Sequence, residues 1–385
     1  MEHAFLVAGL AYGDEGKGAT VDALVRHHKA GLVIRYNGGS QCAHNVVTPR
    51  CRHHTFAQFG SGSFIPNVRT HLSQYVVVDP WNMMNEEKAL RAKGVDKMWY
   101  RTTIHPKAVI VTPFHKAMNQ IRAGLSKKNN TCGMGIGETR DMQLKYGEQV
   151  LYARDLFSKY AMGKKLEFIQ YEAYKFWKDC GGHHSSSELL KKYKSLIVDK
   201  DFIDKIVENF VFPTWVINGD LKEILDSTQT VVFEGAQGVL LDETYGEDGF
   251  NTWTNTTFEN AESVLQEHQP EVARTKIGVM RGFLTRHGDG PFPEEKENLY
   301  DDIPEPHNGD TGLPGKFRKA GMDFSLIRKS LGIVRGVDCL AVNHLEYFGE
   351  GMVELVEREL NTPVWVEGRG PSCKQRKFTE LPVLA

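Results

Sequence analysis

Short apolar runs alternate along the chain with longer stretches in which apolar positions recur every three or four residues. Residues 5–8, 32–35, 75–79, 108–112, 231–234 and 339–342 are the runs, and they read as strands covered on both faces. Residues 21–28, 113–125, 201–210 and 221–227 carry helical spacing. This alternation predicts an α/β fold, a large and mostly parallel central sheet flanked by helices, with functional loops at the carboxyl ends of its strands. Residues 160–227, rich in Lys and aromatic side chains, predict a helical insertion. No Pro/Ser-rich linker divides the chain, so a single domain over residues 1–385 is expected.

Composition narrows the function. With 47 Lys+Arg against 49 Asp+Glu, the chain has no electrostatic reason to seek nucleic acid. No apolar run approaches the roughly 20 residues that cross a bilayer, and the first residues lack a basic leader. The six cysteines are scattered without a CxxC pair, as expected of reduced thiols in a cytoplasmic protein.

The densest chemistry follows the first predicted strand. Gly9-Leu-Ala-Tyr-Gly13-Asp14-Glu15-Gly16-Lys17-Gly18-Ala-Thr20 leads from that strand into a helix. A strand, a glycine-rich turn and a helix start form a phosphate cradle, because main-chain N–H groups and the helix dipole face the anion. Lys17 adds a point charge. Against the pattern G-x4-G-K-[ST], Ala11 stands where the first glycine belongs, and Gly18 where a metal-binding hydroxyl belongs. A carboxylate must then hold the metal, and Asp14 is the candidate.

Further blocks occur in order. They are Arg35-Tyr-Asn-Gly-Gly-Ser-Gln-Cys-Ala-His44, Thr131-Cys-Gly-Met-Gly-Ile-Gly137, Phe233-Glu-Gly-Ala-Gln-Gly-Val-Leu-Leu-Asp242, Asn255-Thr-Thr257 and Thr285-Arg286-His-Gly-Asp-Gly-Pro-Phe-Pro293. Together with Gly13–Gly18 they resemble the signature blocks of adenylosuccinate synthetases, over about residues 5–375. The resemblance implies that family's P-loop-like, GTPase-related fold, a homodimer, a Mg²⁺ requirement, and three substrates: a purine nucleoside monophosphate, GTP and L-aspartate. By the same resemblance Asp14 is the general base and His44 the catalytic acid. Gly13, Glu15, Gly16, Lys17 and Gly18 meet the triphosphate. Gln41, in place of the family's asparagine, joins Thr131, Gln237 and Thr252 at the monophosphate, with Lys145 a candidate to reach the monophosphate of the other subunit. Asp14 and Ala43 are the positions at the metal.

Two blocks depart from the family. Its arginine-rich amino-acid loop is replaced by Pro306-His-Asn-Gly-Asp-Thr-Gly-Leu-Pro-Gly-Lys316-Phe-Arg318, leaving Thr311, Lys316 and Arg318 as the candidate aspartate-binding residues. An ammonium at 316 lacks the bidentate fork that a guanidinium offers a carboxylate. The family's T-K-L-D base motif becomes Asn343-His-Leu-Glu346, so Glu346, with Gly370 and Pro371 walling the site, favours GTP over ATP only weakly. The Ser-Gln-Cys-Ala-His form and the Gly-x-Phe-Arg ending are similar to phage 2-aminoadenylosuccinate synthetases, which use dGMP. Retention of Asp14 favours IMP. A catalytically silent nucleotide-binding relative is the remaining class, against which the joint presence of Asp14, Lys17, His44, Gln237 and Arg286 argues. The histidines of Cys51-Arg-His-His54 and Cys180-Gly-Gly-His-His184 lack zinc-site spacing, and His115, His287 and His307 have no partner visible in sequence.

Overall fold

A computed structural model describes residues 1–126, 131–293, 300, 302–308 and 313–380. At its centre is a nine-stranded sheet. Its order is Arg376–Phe378, Val364–Gly368, Cys339–Asn343, Ala273–Arg281, His3–Gly9, Thr230–Gly238, Leu32–Arg35, Arg69–Leu72 and Thr102–Ile104. All neighbours run parallel except the pair Val364–Gly368 with Arg376–Phe378. His3–Gly9 is buried from Ala4 onward and lies between Ala273–Arg281 and Thr230–Gly238, which explains its unbroken apolar run.

Four of the six predicted strands lie in this sheet. The other two do not. Residues 75–79 and 108–112 supply only Val77–Val78 and Val109–Ile110, which pair with each other in a separate ribbon. Both runs then turn into helices at Pro80 and Pro113, residues favoured in a helix's first turn, and the Asp79 side chain accepts from Asn82 N at 3.1 Å. Their apolar side chains serve the core without extending the sheet. Residues 159–226 carry the helices Lys159–Asp179, Glu188–Val198, Asp201–Glu208 and Leu221–Asp226. Buried Trp177 joins the first two by donating to Leu190 O at 3.0 Å. Among the described residues no helix is long and apolar enough to cross a membrane.

The topology fixes where chemistry can occur. Asp14, Gln237, Arg281, Glu346 and Gly370 all follow or close the carboxyl ends of neighbouring parallel strands. That edge is where ligands gather in open α/β sheets.

Candidate active site

The helix after the first strand begins at Lys17, four residues earlier than its apolar spacing suggests. Gly16 precedes it at φ 91°, and among the described residues no side chain caps its first N–H groups, which leaves an anion-attracting helix start. Glu15 does not face outward. Its buried carboxylate accepts from Ala11 N at 3.1 Å, Gly13 N at 2.8 Å and Lys17 Nζ at 2.5 Å. The expectation that Glu15 meets the triphosphate is therefore corrected for its side chain. Three inward donors hold it as the brace of the loop. Lys17 is paired with it at the helix start.

The loop's glycines answer to tertiary neighbours. A Cβ on Gly18 would lie 2.7 Å from His44 Cβ and 3.0 Å from its carbonyl carbon, so a Walker-type hydroxyl residue has no room there. A Cβ on Gly16 would lie 2.9 Å from Asn343 Nδ2, which itself donates to Glu15 O at 2.9 Å.

Asp14 occupies the left-handed region at φ 60°, with its side chain 27% exposed. Its Oδ2 is 3.3 Å from His287 Nε2, and Arg281 Nε donates to its main-chain oxygen. Burial pushes its pKa up, but the His287 hydrogen bond and the charges of Arg281 and Lys17 outweigh burial and bring it below the usual aspartate value. For His287 burial acts downward, and the bond and charge of Asp14 with the Asn308 contact raise it.

His44 opens the short strand His44–Val47, and its Nδ1 lies 2.6 Å from Glu234 Oε1. Glu234 is fully buried and also accepts from Ser61 N at 2.9 Å and from Ser61 Oγ. Burial would raise its pKa, yet Arg35, His44 and Ser61 together hold it at about 2. Burial first, then the Arg35 charge, lower the His44 pKa against the pull of Glu234. The result is a neutral imidazole with Nδ1–H donated to a carboxylate.

Segments 38–41, 131–137 and 236–237 converge beside this pair. A Cβ on Gly39 would meet Gln41 Oε1 at 3.0 Å and Ile136 Cδ1 at 2.7 Å, and Ala236 N donates to Asn37 Oδ1 at 2.7 Å. Among the described residues both amide atoms of Gln41 are buried without a protein partner, so they are available to a ligand. Gln237, at φ 58°, accepts from Thr254 Oγ1 at 3.4 Å. Thr252 N donates to Leu241 O, and the adjoining Trp253 covers Gly137. Thr131 Oγ1 donates to Asn119 Oδ1 at 3.0 Å, on the helix Pro113–Ser126. Lys145 is not in this group: it lies on an exposed helix face, 3.4 Å from Asp141.

On the other side of Asp14, strand Phe317–Ala320 pairs antiparallel with Leu284–His287, setting Arg318 opposite Arg286 and Phe317 opposite His287. Arg286 lies over the Tyr12 ring at 4.5 Å and Arg318 over Phe292 at 5.0 Å. Lys316 is exposed just ahead of this strand. Thr311 lies outside the described residues. Glu346 is exposed on the turn after Cys339–Asn343, and Gly370 follows the neighbouring strand Val364–Gly368, its oxygen taken by Arg376 Nη1 at 3.0 Å. His344, where the family carries lysine, is held neutral: burial, then Arg281 and Arg376, push its pKa down to about 3.

Sequence reasoning missed Glu234, Arg281, Asn343 and His287 as parts of this site. Glu234 and His287 stood inside quoted blocks and Asn343 headed the base motif. Only their spatial partners reveal their roles.

A glycine-lined helix start at the carboxyl edge of a parallel sheet defines the class, an α/β protein that handles nucleotide phosphates. The adenylosuccinate synthetase family model matches residues 6–369, and the chain belongs to that family of carbon–nitrogen ligases. It is 30% identical over 349 residues to the adenylosuccinate synthetase of Mycolicibacterium vanbaalenii, covering 87% of this chain and 75% of that one. With the Clostridium botulinum adenylosuccinate synthetase it shares 31% identity over 350 residues, covering 89% and 78%. Among solved structures, the fully ligated adenylosuccinate synthetase of Plasmodium falciparum superposes with a TM-score of 0.77 at 17% identity, over 98% of this chain and 99% of that one. The succinoaminodeoxyadenylate synthetase of cyanophage S-2L, bound to dGMP and to dATP as an energy donor, gives 0.70 at 15% identity, over 98% and 96%.

Proposed function

We propose that this enzyme phosphorylates the 6-oxygen of a purine nucleoside monophosphate, IMP by preference, with GTP, and then displaces the phosphate with L-aspartate to give adenylosuccinate. The observation that carries the reading is Asp14, a depressed-pKa, part-exposed carboxylate at the mouth of the phosphate cradle, with His44 packed against Gly18 of the same loop. Asp14 takes the N1 proton, which makes the lactam oxygen nucleophilic. That oxygen attacks the γ-phosphorus and the nucleoside diphosphate leaves. His44 Nε2 faces the transferring group, whose negative charge favours protonation of the imidazole and so a donor to that charge. The aspartate amine then adds at C6, inorganic phosphate departs, and the amine gives up a proton. Gln41, Thr131, Gln237 and Thr252 hold the monophosphate; Lys316, Arg318 and Thr311 take the amino acid's carboxylates.

Hard oxygen donors beside phosphates suit Mg²⁺, and Asp14 with the main chain at Ala43 would hold that ion, which when bound would supply charge neutralisation of the triphosphate. We place the enzyme in the cytoplasm as a homodimer, with Lys145 on the helix face that reaches the second subunit.

A second reading takes dGMP, with ATP or GTP. It is favoured by the Ser40-Gln-Cys-Ala-His44 form and by the Gly315-Lys-Phe-Arg318 ending of the amino-acid loop, and the cyanophage enzyme of like fold carries dGMP. Phosphate release from IMP, dGMP, GMP or XMP, each with GTP or ATP plus aspartate, separates the readings. IMP with GTP is expected to be fastest. A faster dGMP reaction selects the second reading, and nucleotide binding without phosphate release from any pair refutes the ligase. Asp14→Asn is expected to lose about 10²–10⁴-fold in turnover.

A further inference from the structure

We propose that Arg281, Glu305, Asn308 and His287 are positioning residues forming one clamp, which sets the Asp14 carboxylate and ties it to the segment leading into the amino-acid loop. The proposal rests on the reading of Asp14 as base. Its geometry is a closed circuit that begins and ends on residue 14. Arg281 Nε donates to the Asp14 main-chain oxygen, and Arg281 Nη1 donates to Glu305 Oε1. Glu305 Oε2 accepts from Asn308 Nδ2 at 2.9 Å. Asn308 Oδ1, its amide thereby oriented, lies 3.2 Å from His287 Nε2, and the same nitrogen lies 3.3 Å from Asp14 Oδ2. Both contacts of Nε2 are acceptors, so Nε2 carries the hydrogen and shares it between them.

Residue 14 is thus gripped through its carbonyl on one side and its carboxylate on the other. It needs that grip. A non-glycine residue at φ 60° is uncommon, and such a conformation persists where the surroundings over-determine it. The Arg281 and Glu305 side chains are only 6% and 10% exposed, so their pairing is shielded from solvent competition.

The clamp is also fastened to the amino-acid side. Lys319 Nζ, on the strand that carries Arg318, donates to Tyr300 O at 3.0 Å and Ile303 O at 2.8 Å, and Asn308 N donates to Glu305 O at 3.1 Å. The strand pairing that sets Arg318 opposite Arg286 also sets Phe317 opposite His287. A shift of the amino-acid loop therefore reaches the base through side chains already in contact.

The test exploits the polarity of the circuit. Asn308→Asp puts a second carboxylate against Glu305 and breaks the link. Outer-shell partners of this kind cost about 10–100-fold in activity when lost, so kcat should fall by that much, with the KM of the monophosphate changed by no more than about twofold. Adding Glu305→Gln restores every link, because the new amide N–H donates to the new carboxylate while its oxygen accepts from Arg281. The double variant should recover kcat to within about threefold of the parent, a non-additivity that only coupled residues produce. Asn308→Ser, which adds no charge, should also lower kcat at unchanged monophosphate KM, and covers the case in which Asn308→Asp does not fold. The clamp is overturned if the single variants turn over normally, if the double variant is as slow as Asn308→Asp, or if kcat follows only the fraction folded in thermal melts. Near-parental turnover of Asp14→Asn overturns both the clamp and the reading beneath it. A dead Asp14→Asn beside unaffected clamp variants overturns the clamp alone.

Discussion

Glu234→Gln is the sharpest probe of how His44 is held. The parent carboxylate accepts three hydrogen bonds, from His44 Nδ1, Ser61 N and Ser61 Oγ, with no solvent exposure. Glutamine matches its shape but has one acceptor oxygen. With that oxygen toward His44, the amide N–H₂ faces the Ser61 N–H; reversed, it faces His44 and forces the other imidazole tautomer. The first arrangement sets donor against donor at a cost of about 1–3 kcal/mol. The second puts the proton on the wrong nitrogen, a defect worth up to roughly 10⁴-fold in rate in triad enzymes. Stability gives an independent measure. A folded pKa of about 2 against a reference of 4.5 corresponds to roughly 3 kcal/mol near neutral pH, at about 1.4 kcal/mol per unit. The folded value is the lower one, so this stabilisation is fully present above pH 4.5 and is lost as pH falls toward 2. Denaturant titrations of parent and variant should therefore differ near neutral pH and converge in acid. Turnover should fall by about 10²–10⁴-fold while monophosphate binding persists. A variant with parental turnover, or a stability gap that does not close in acid, would refute this account of His44.

Gly18→Ser restores the Walker-type hydroxyl in sequence but drives its Cβ to 2.7 Å from His44 Cβ and 3.1 Å from His44 Cα. Main-chain atoms yield little, so thermal melts should show about 1–3 kcal/mol of destabilisation, and displacement of His44 should lower kcat at least about tenfold. Trp177→Ala should lower stability by roughly 3–5 kcal/mol through loss of a fully buried ring, with kcat of the folded fraction unchanged. A matching loss of kcat would mean that the helices of residues 159–226 and the site are coupled.

Two of the five central-sheet strands that sequence reasoning missed show why pattern alone falls short. Arg69–Leu72 reads Arg-Thr-His-Leu and Thr102–Ile104 reads Thr-Thr-Ile, neither of them an apolar run. Yet His71 is fully buried, its Nδ1 bonded to Thr103 Oγ1 at 2.9 Å, and Thr70 Oγ1 accepts from Gly60 N at 3.1 Å. Partners on other segments take the Nδ1 of His71 and the Oγ1 of Thr70, while among the described residues His71 Nε2 has none, and such pairing is not visible in a single run. Conversely, residues 75–79 and 108–112 are as apolar as any strand but are spent on covering helices.

The active site divides in the same way. Asp14, Lys17 and His44 were legible because their motif spacing records contacts between distant segments. Gly18 is glycine because His44 lies against it, and Gly16 because Asn343 does. A resemblance in the first loop therefore already implies the residues at the ends of two other strands. His287 had no such record. Its block was recognised, but its partners, Asp14 and Asn308, come from segments far apart in the chain, and the second belongs to the loop where the family pattern fails. In the proposed reading, divergence in that loop and the histidine facing it are coupled through Asp14, the carboxylate proposed as base. If so, changing the amino-acid loop back toward the family's arginine-rich form should alter turnover through Asp14 as well as affinity for the amino acid.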